Sequence, residues 1–155
     1  MEFNPSAKIV FASLTGNTEE IAEVICDALT DLNVDVTMAN CDEAEACDFQ
    51  DVDICVVATY TYGDGDLPDE IVDFYEDLAD EDLDGKVYGV AGSGDTTYDH
   101  FCKSVEDFDA QFASTGATKG AENVKVELEP EAEDIQHLEA FAKSLVEKAQ
   151  ELHEA

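Results

Sequence analysis

Three short apolar runs, Lys8 to Ala12, Ile54 to Ala58 and Val87 to Ala91, leave this chain few ways to fold. Their apolar residues are consecutive, so in an extended conformation neither side of the run can face water. Such strands belong inside a sheet covered on both faces. Val34-Asp35-Val36-Thr37-Met38 and Val124-Lys125-Val126-Glu127-Leu128 instead alternate apolar and polar residues, the pattern of strands with one wet side, and belong at sheet edges. Between the strands apolar residues recur at helical spacing. Ile21, Val24, Ile25, Ala28, Leu29 and Leu32 form one stripe, and Ile71, Phe74, Tyr75 and Leu78 a second. Phe101, Val105, Phe108 and Phe112 form a third, and Ile135, Leu138, Ala142, Leu145, Ala149 and Leu152 a fourth. All four stripes are expected in the core. Cys41 to Asp51 has little periodicity and is expected as a loop or a short helical turn.

Regular alternation of strand and helix, without repeat or linker, predicts one α/β domain over residues 1–155. Right-handed crossovers place helices on both faces of a five-stranded parallel sheet, a three-layer, doubly wound architecture. With the second and fifth strands at the edges, the order is 2-1-3-4-5. In that order the winding reverses between the first and third strands, so a ligand is expected outside their carboxyl ends.

The residues at those ends are polar and glycine-rich. After the first strand comes Ser13-Leu14-Thr15-Gly16-Asn17-Thr18-Glu19, running directly into the first helix. A helix N-terminus offers free N–H groups and partial positive charge, and Ser13, Thr15, Asn17 and Thr18 add neutral donors. One such residue would be an ordinary helix cap. Four around one glycine form a phosphate cradle without cations. It is not a nucleotide-triphosphate loop, whose Gly-Lys-Ser/Thr core is missing. The third strand ends in Thr59-Tyr60-Thr61-Tyr62-Gly63-Asp64-Gly65-Asp66, and the fourth in Gly92-Ser93-Gly94-Asp95-Thr96-Thr97-Tyr98-Asp99-His100-Phe101-Cys102. Either loop alone reads as a turn with an exposed aromatic. Beside a phosphate cradle, the two together are suited to holding a flat ring between Tyr62 and Tyr98 while backbone groups meet its polar edge.

Through the Ser-x-Thr-Gly-Asn-Thr-Glu turn, the Thr61 to Gly65 loop and the Gly-Ser-Gly-Asp-Thr-Thr-Tyr-Asp-His-Phe-Cys segment, the sequence closely resembles the flavodoxin family along nearly its whole length. Its length matches the short-chain members, with no long insertion splitting the last strand. The resemblance implies a flavodoxin-like fold and one FMN, its phosphate on Ser13 to Thr18 and its isoalloxazine between Tyr62 and Tyr98. Residues Thr59 to Asp64 and Ser93, Gly94, Asp95, Tyr98, His100, Phe101 and Cys102 would complete the site, with backbone from Asp95 to Cys102 on the pyrimidine edge. Position 62 is Tyr where many members carry Trp, and the chain has no Trp. The implied role is a low-potential electron carrier, not an enzyme. The alternatives are an FMN-dependent NAD(P)H:quinone reductase and a dedicated activator of one partner enzyme.

Charge narrows the partners. The chain has 39 Asp and Glu against 7 Lys and no Arg, a net charge of −32. Nucleic acid and anionic membranes repel such a surface, and basic-surfaced redox enzymes, such as a flavodoxin reductase or an oxidoreductase complex, complement it. The protein is expected to be a cytoplasmic monomer, since no basic-then-apolar leader opens the sequence and no run nears the ~20 apolar residues of a membrane span. Five scattered cysteines without a Cys-x-x-Cys pair read as reduced structural thiols. His100 and Cys102 have no third candidate ligand nearby, so no metal is expected. A phosphorelay receiver shares the sheet order, but Ala12-Ser13 and Ala58-Thr59 stand where it needs acidic residues.

Overall fold

A computed structural model describes residues 5–12, 17–60, 69–94, 103–127 and 131–154. In chain order the elements are β1 (Ser6–Phe11), α1 (Asn17–Asp31), β2 (Asp35–Asn40), a 3-10 turn (Ala46–Asp51), β3 (Ile54–Tyr60), α2 (Asp69–Leu78) and β4 (Val87–Gly94). They are followed by α3 (Lys103–Ser114), β5 (Thr118–Lys119), β6 (Val124–Glu127) and α4 (Ala132–Glu154). The sheet is parallel, in the order β2-β1-β3-β4-β5, with β6 also paired to β4.

The three apolar runs are the three inner strands, and their residues alternate between two cores. Ile9, Ile54 and Val56 meet α1 and α4 through Ile21, Ile25, Leu138 and Leu145. On the other side Val10, Cys55, Val57 and Val90 meet Phe49 of the 3-10 turn, Ile71 and Phe74 of α2, and Phe108 and Phe112 of α3. The first six residues of β3 are buried throughout, which is why that run carries no polar alternation. Phe49 also settles the unperiodic stretch, anchoring its 3-10 turn edge-on against Phe74 at 5.7 Å. Cys41 and Cys55 are buried, and burial pushes the Cys55 thiol up.

Two expectations are corrected. The fifth sheet position holds two strands: Thr118 faces Val87, yet Val124 faces Ala91, so the edge takes six steps while β4 takes four. Gly120 opens the break. Its N–H donates to the Tyr88 carbonyl at 2.9 Å and its carbonyl accepts from Ser144 Oγ at 2.6 Å. A Cβ there would lie 2.3 Å from Val87 Cγ1, so the backbone sits closer to the sheet than a side chain permits. On α4, the buried stripe begins at Leu138 and includes Phe141, whereas Ile135 is 36% exposed because the helix's opening turn stands in solvent.

Asp109 of α3 stitches the split edge to the sheet. Its carboxylate accepts from Tyr88 Oη at 2.6 Å, Lys119 Nζ at 2.9 Å and Asn123 Nδ2 at 3.0 Å. Burial raises its pKa, but these three donors outweigh burial and hold it below the usual carboxylate range. A folded-state pKa below the unfolded one contributes stability that is present at neutral pH and lost as pH falls through the folded value. Asp109→Asn should therefore cost about 2 kcal/mol at pH 7, the scale of hydrogen bonds to a charged group. In urea unfolding the difference from the parent should shrink on acidification below about pH 4. A difference that stayed constant with pH would mean that the charge contributes nothing.

Candidate cofactor site

β1, β3 and β4 end side by side. Phe11 pairs with Ala58, Tyr60 pairs with Ser93, and the Ala12 N–H donates to the Ala58 carbonyl at 3.0 Å. From this line β1 passes through α1 to β2 on one side, while β3 passes through α2 to β4 on the other. The crevice between β1 and β3 is thus the place where the winding reverses.

The opening of α1 is carried onto the end of β4. Thr18, only 1% exposed, has its Oγ1 3.0 Å from Oγ of Ser93, which is 5% exposed and 75 residues further along the chain. A 15-residue helix presents about half a unit of positive charge at its N-terminus, together with N–H groups that have no partner inside the helix. Lys8 of β1 pairs with Asp48 at 3.2 Å, and Lys103, at the start of α3, pairs along its own helix with Asp107 at 3.1 Å.

The end of β3 is fastened in its turn. The Tyr60 carbonyl accepts from Ser104 Oγ at 2.8 Å and from Thr59 Oγ1 at 3.3 Å, and both Thr59 and Ser104 are fully buried. Ser104 stands in the first turn of α3, so the residues that close the 95–102 segment and those that open the 61–68 segment are tied by one hydrogen bond. Beneath them, Gly92 lets β4 approach β3. A Cβ at this position would lie 2.5 Å from the Thr59 carbonyl oxygen and 2.5 Å from Val105 Cγ2.

Of the site residues named from the sequence, Thr18, Thr59, Tyr60, Ser93 and Gly94 come together at this edge, and Asn17 opens α1. Ser13, Leu14, Thr15, Gly16, Thr61, Tyr62, Gly63, Asp64, Asp95, Tyr98, His100, Phe101 and Cys102 lie outside the described residues. Ser104 is the residue that sequence reasoning missed. The available signal was a serine in the turn where a glycine-rich segment enters a helix, the usual place for a hydroxyl to bond backbone. No group of His, Cys, Asp and Glu suited to a metal ion occurs among the described residues. A separate cavity lies at the split edge, between Asn123, Val124 and Phe141. Its hydroxyl, Ser144, is committed to Gly120, and it stands apart from the strand ends.

The family model described as Flavodoxin matches residues 9–142. The chain is 38% identical over 141 residues to probable flavodoxin 1 of Bacillus subtilis (strain 168), covering 90% of this chain and 89% of that protein. Among solved structures it superposes with TM-score 0.91 on the flavodoxin of Streptococcus pneumoniae TIGR4, at 63% identity, over 92% of this chain and 99% of that one. It superposes with TM-score 0.92 on a short-chain flavodoxin associated with a non-canonical PDU bacterial microcompartment, at 51% identity, over 94% of this chain and 99% of that one.

Proposed function

Since this chain belongs to the flavodoxin family, we propose that it carries single electrons between redox enzymes on one FMN seated at the carboxyl ends of β1, β3 and β4. FMN binding and electron transfer are the work of the family and of this member. The observation that carries the placement is the buried Thr18–Ser93 hydroxyl pair, which sets the N-terminus of α1 against the end of β4.

The described residues fit that cofactor. A phosphate in a protein of net charge −32 needs a local counterweight, and here it is neutral: the start of α1 and the hydroxyls around it. Ser13, Thr15, Asn17 and Thr18 would hold the phosphate. The segments that leave β3 after Tyr60 and β4 after Gly94 would hold the ring, with Tyr62 and Tyr98 on its faces and Gly63 beside its polar edge. When bound, FMN supplies two one-electron steps. The chain's part is to orient and to tune. Ser104 and Thr59 fix the last carbonyl of β3, so the residues beyond it start from a set direction. Acidic side chains make added negative charge costly: one carboxylate at roughly 10 Å opposes it by about 0.4 to 1.7 kcal/mol at effective dielectric constants of about 80 to 20. Many together favour a strong, low-potential donor.

The same reading makes the protein a carrier and not a catalyst of its own reaction. Its partners would be basic-surfaced redox enzymes, met in the cytoplasm by a one-domain monomer. Among the described residues no helix is long and apolar enough to cross a membrane.

Titration of the apoprotein with FMN and with riboflavin tests the placement of the phosphate. Losing hydrogen bonds to a charged group typically costs about 1.5 to 3 kcal/mol, so FMN should bind roughly ten- to a hundredfold more tightly or better. Equal affinities would remove the phosphate from the start of α1.

A further inference from the structure

We propose that Ser93 is a positioning residue for the phosphate end of the site, acting through Thr18. This rests on the reading that the start of α1 binds the FMN phosphate. The two oxygens are 3.0 Å apart and either can be the donor. A hydroxyl has one proton and two lone pairs, so a single proton lies between them and the other must point elsewhere. At 1% and 5% exposure the pair has little water to receive it. What stands at the mouth of α1 therefore bears on which proton lies between the oxygens.

An anion there draws the Thr18 proton toward itself. The Thr18 oxygen then has a lone pair facing Ser93, and the Ser93 proton fills the gap, giving a chain of donors from Ser93 to Thr18 to the anion. Hydrogen bonds that polarise one another in a dry setting strengthen along such a chain. If Thr18 instead donates to Ser93, it has no proton for the anion and presents it with lone pairs. Ser93 thus makes Thr18 a donor. Because Ser93 is the penultimate residue of β4, the device also ties the phosphate end to the strand from which the ring-holding segment departs.

The test is titration of apoprotein with FMN and with riboflavin, followed by flavin fluorescence, in the parent and in Ser93→Ala, Thr18→Val and the double variant. Ser93→Ala should lower the ratio of FMN to riboflavin affinity by about tenfold, about 1.4 kcal/mol. Thr18→Val should lower the ratio at least as far. The double variant should match Thr18→Val, because Ser93 has no route to the phosphate except through Thr18. If Ser93→Ala does not fold, Ser93→Cys, with its weak donor, should show the same loss in smaller measure. A ratio unchanged in a folded Ser93 variant overturns the proposal, as does equal weakening of both flavins, the mark of a structural role. A parent that binds the two flavins equally overturns the phosphate reading itself, and is thereby told apart from failure of the Ser93 chain alone.

Discussion

Gly92→Ala should be among the most damaging single-methyl changes in the molecule. Gly92 lies on β4 directly opposite Thr59 of β3, and the added methyl would sit 2.5 Å from the Thr59 carbonyl oxygen, with Val105 Cγ2 equally close on α3. At Gly89 and Gly120 the tight contacts are with side chains: at Gly89 the nearest atom is Phe141 Cζ at 2.6 Å, and at Gly120 it is Val87 Cγ1 at 2.3 Å. A phenyl ring can swing, whereas a carbonyl inside a ladder cannot retreat without separating the strands. Overpacking a core costs typically about 1 to 3 kcal/mol, and a backbone obstacle puts Gly92→Ala at the upper end, about 3 kcal/mol. That is a large part of the about 5 to 15 kcal/mol by which a domain is stable. Because the strain falls on Thr59 and Tyr60, FMN affinity should drop by at least about tenfold as well. Urea unfolding of the apoprotein and FMN titration give the two numbers, with Gly89→Ala, expected near about 1 kcal/mol, as the comparison. Equal and mild effects at 89 and 92 would show that β3 and β4 have room to part.

The same contrast between local and distant causes divides what the sequence made legible from what it did not. β1, β3 and β4 were readable because burial on both faces writes itself into consecutive residues. β5 was not: Thr118 and Lys119 are two polar residues, and what makes them a strand is the Thr118 N–H reaching the Lys86 carbonyl at 2.8 Å, a partner 32 positions away. The exposure of Ile135 at the head of the α4 stripe has a similar origin, since spacing gives a helix its apolar side but not the turn at which it meets the sheet. At the site, Thr18, Tyr60 and Ser93 could be placed because each lies where a strand or helix meets a loop, and the sheet order aligns those junctions. That Thr18 touches Ser93, and Ser104 holds Tyr60, depends on pairs 75 and 44 residues apart. Single hydrogen bonds of that reach leave no periodicity to read.

Ionic strength should change electron exchange in opposite directions for partners of opposite charge. Between Lys8 and Lys86 the chain has 23 Asp and Glu and no cation, and this stretch supplies α1, the 3-10 turn and α2. Lys8 itself is paired with Asp48, and Lys103, Lys119 and Lys125 are each paired with an acid of α3. The β1–β3 crevice therefore opens beside a part of the molecule with almost no positive charge to offset its acids. At about 0.01 M salt the Debye length is roughly 30 Å, and at physiological strength about 8 Å, so the field that gathers a cationic partner is long at the first and short at the second. Charge-guided encounters reach about 10⁸ to 10⁹ M⁻¹s⁻¹ against about 10⁵ to 10⁶ without guidance. Stopped-flow oxidation of the reduced holoprotein by a basic haem protein should accordingly slow by about a hundredfold between low and high salt. Oxidation by a small anionic acceptor should quicken over the same range, because salt then screens repulsion. The holoprotein is the form to use, since self-repulsion weakens a compact apoprotein at low salt. Slopes of the same sign for both acceptors would mean that electrons leave by a face the acidic surface does not govern, and would remove charge as the means by which this protein finds its partners.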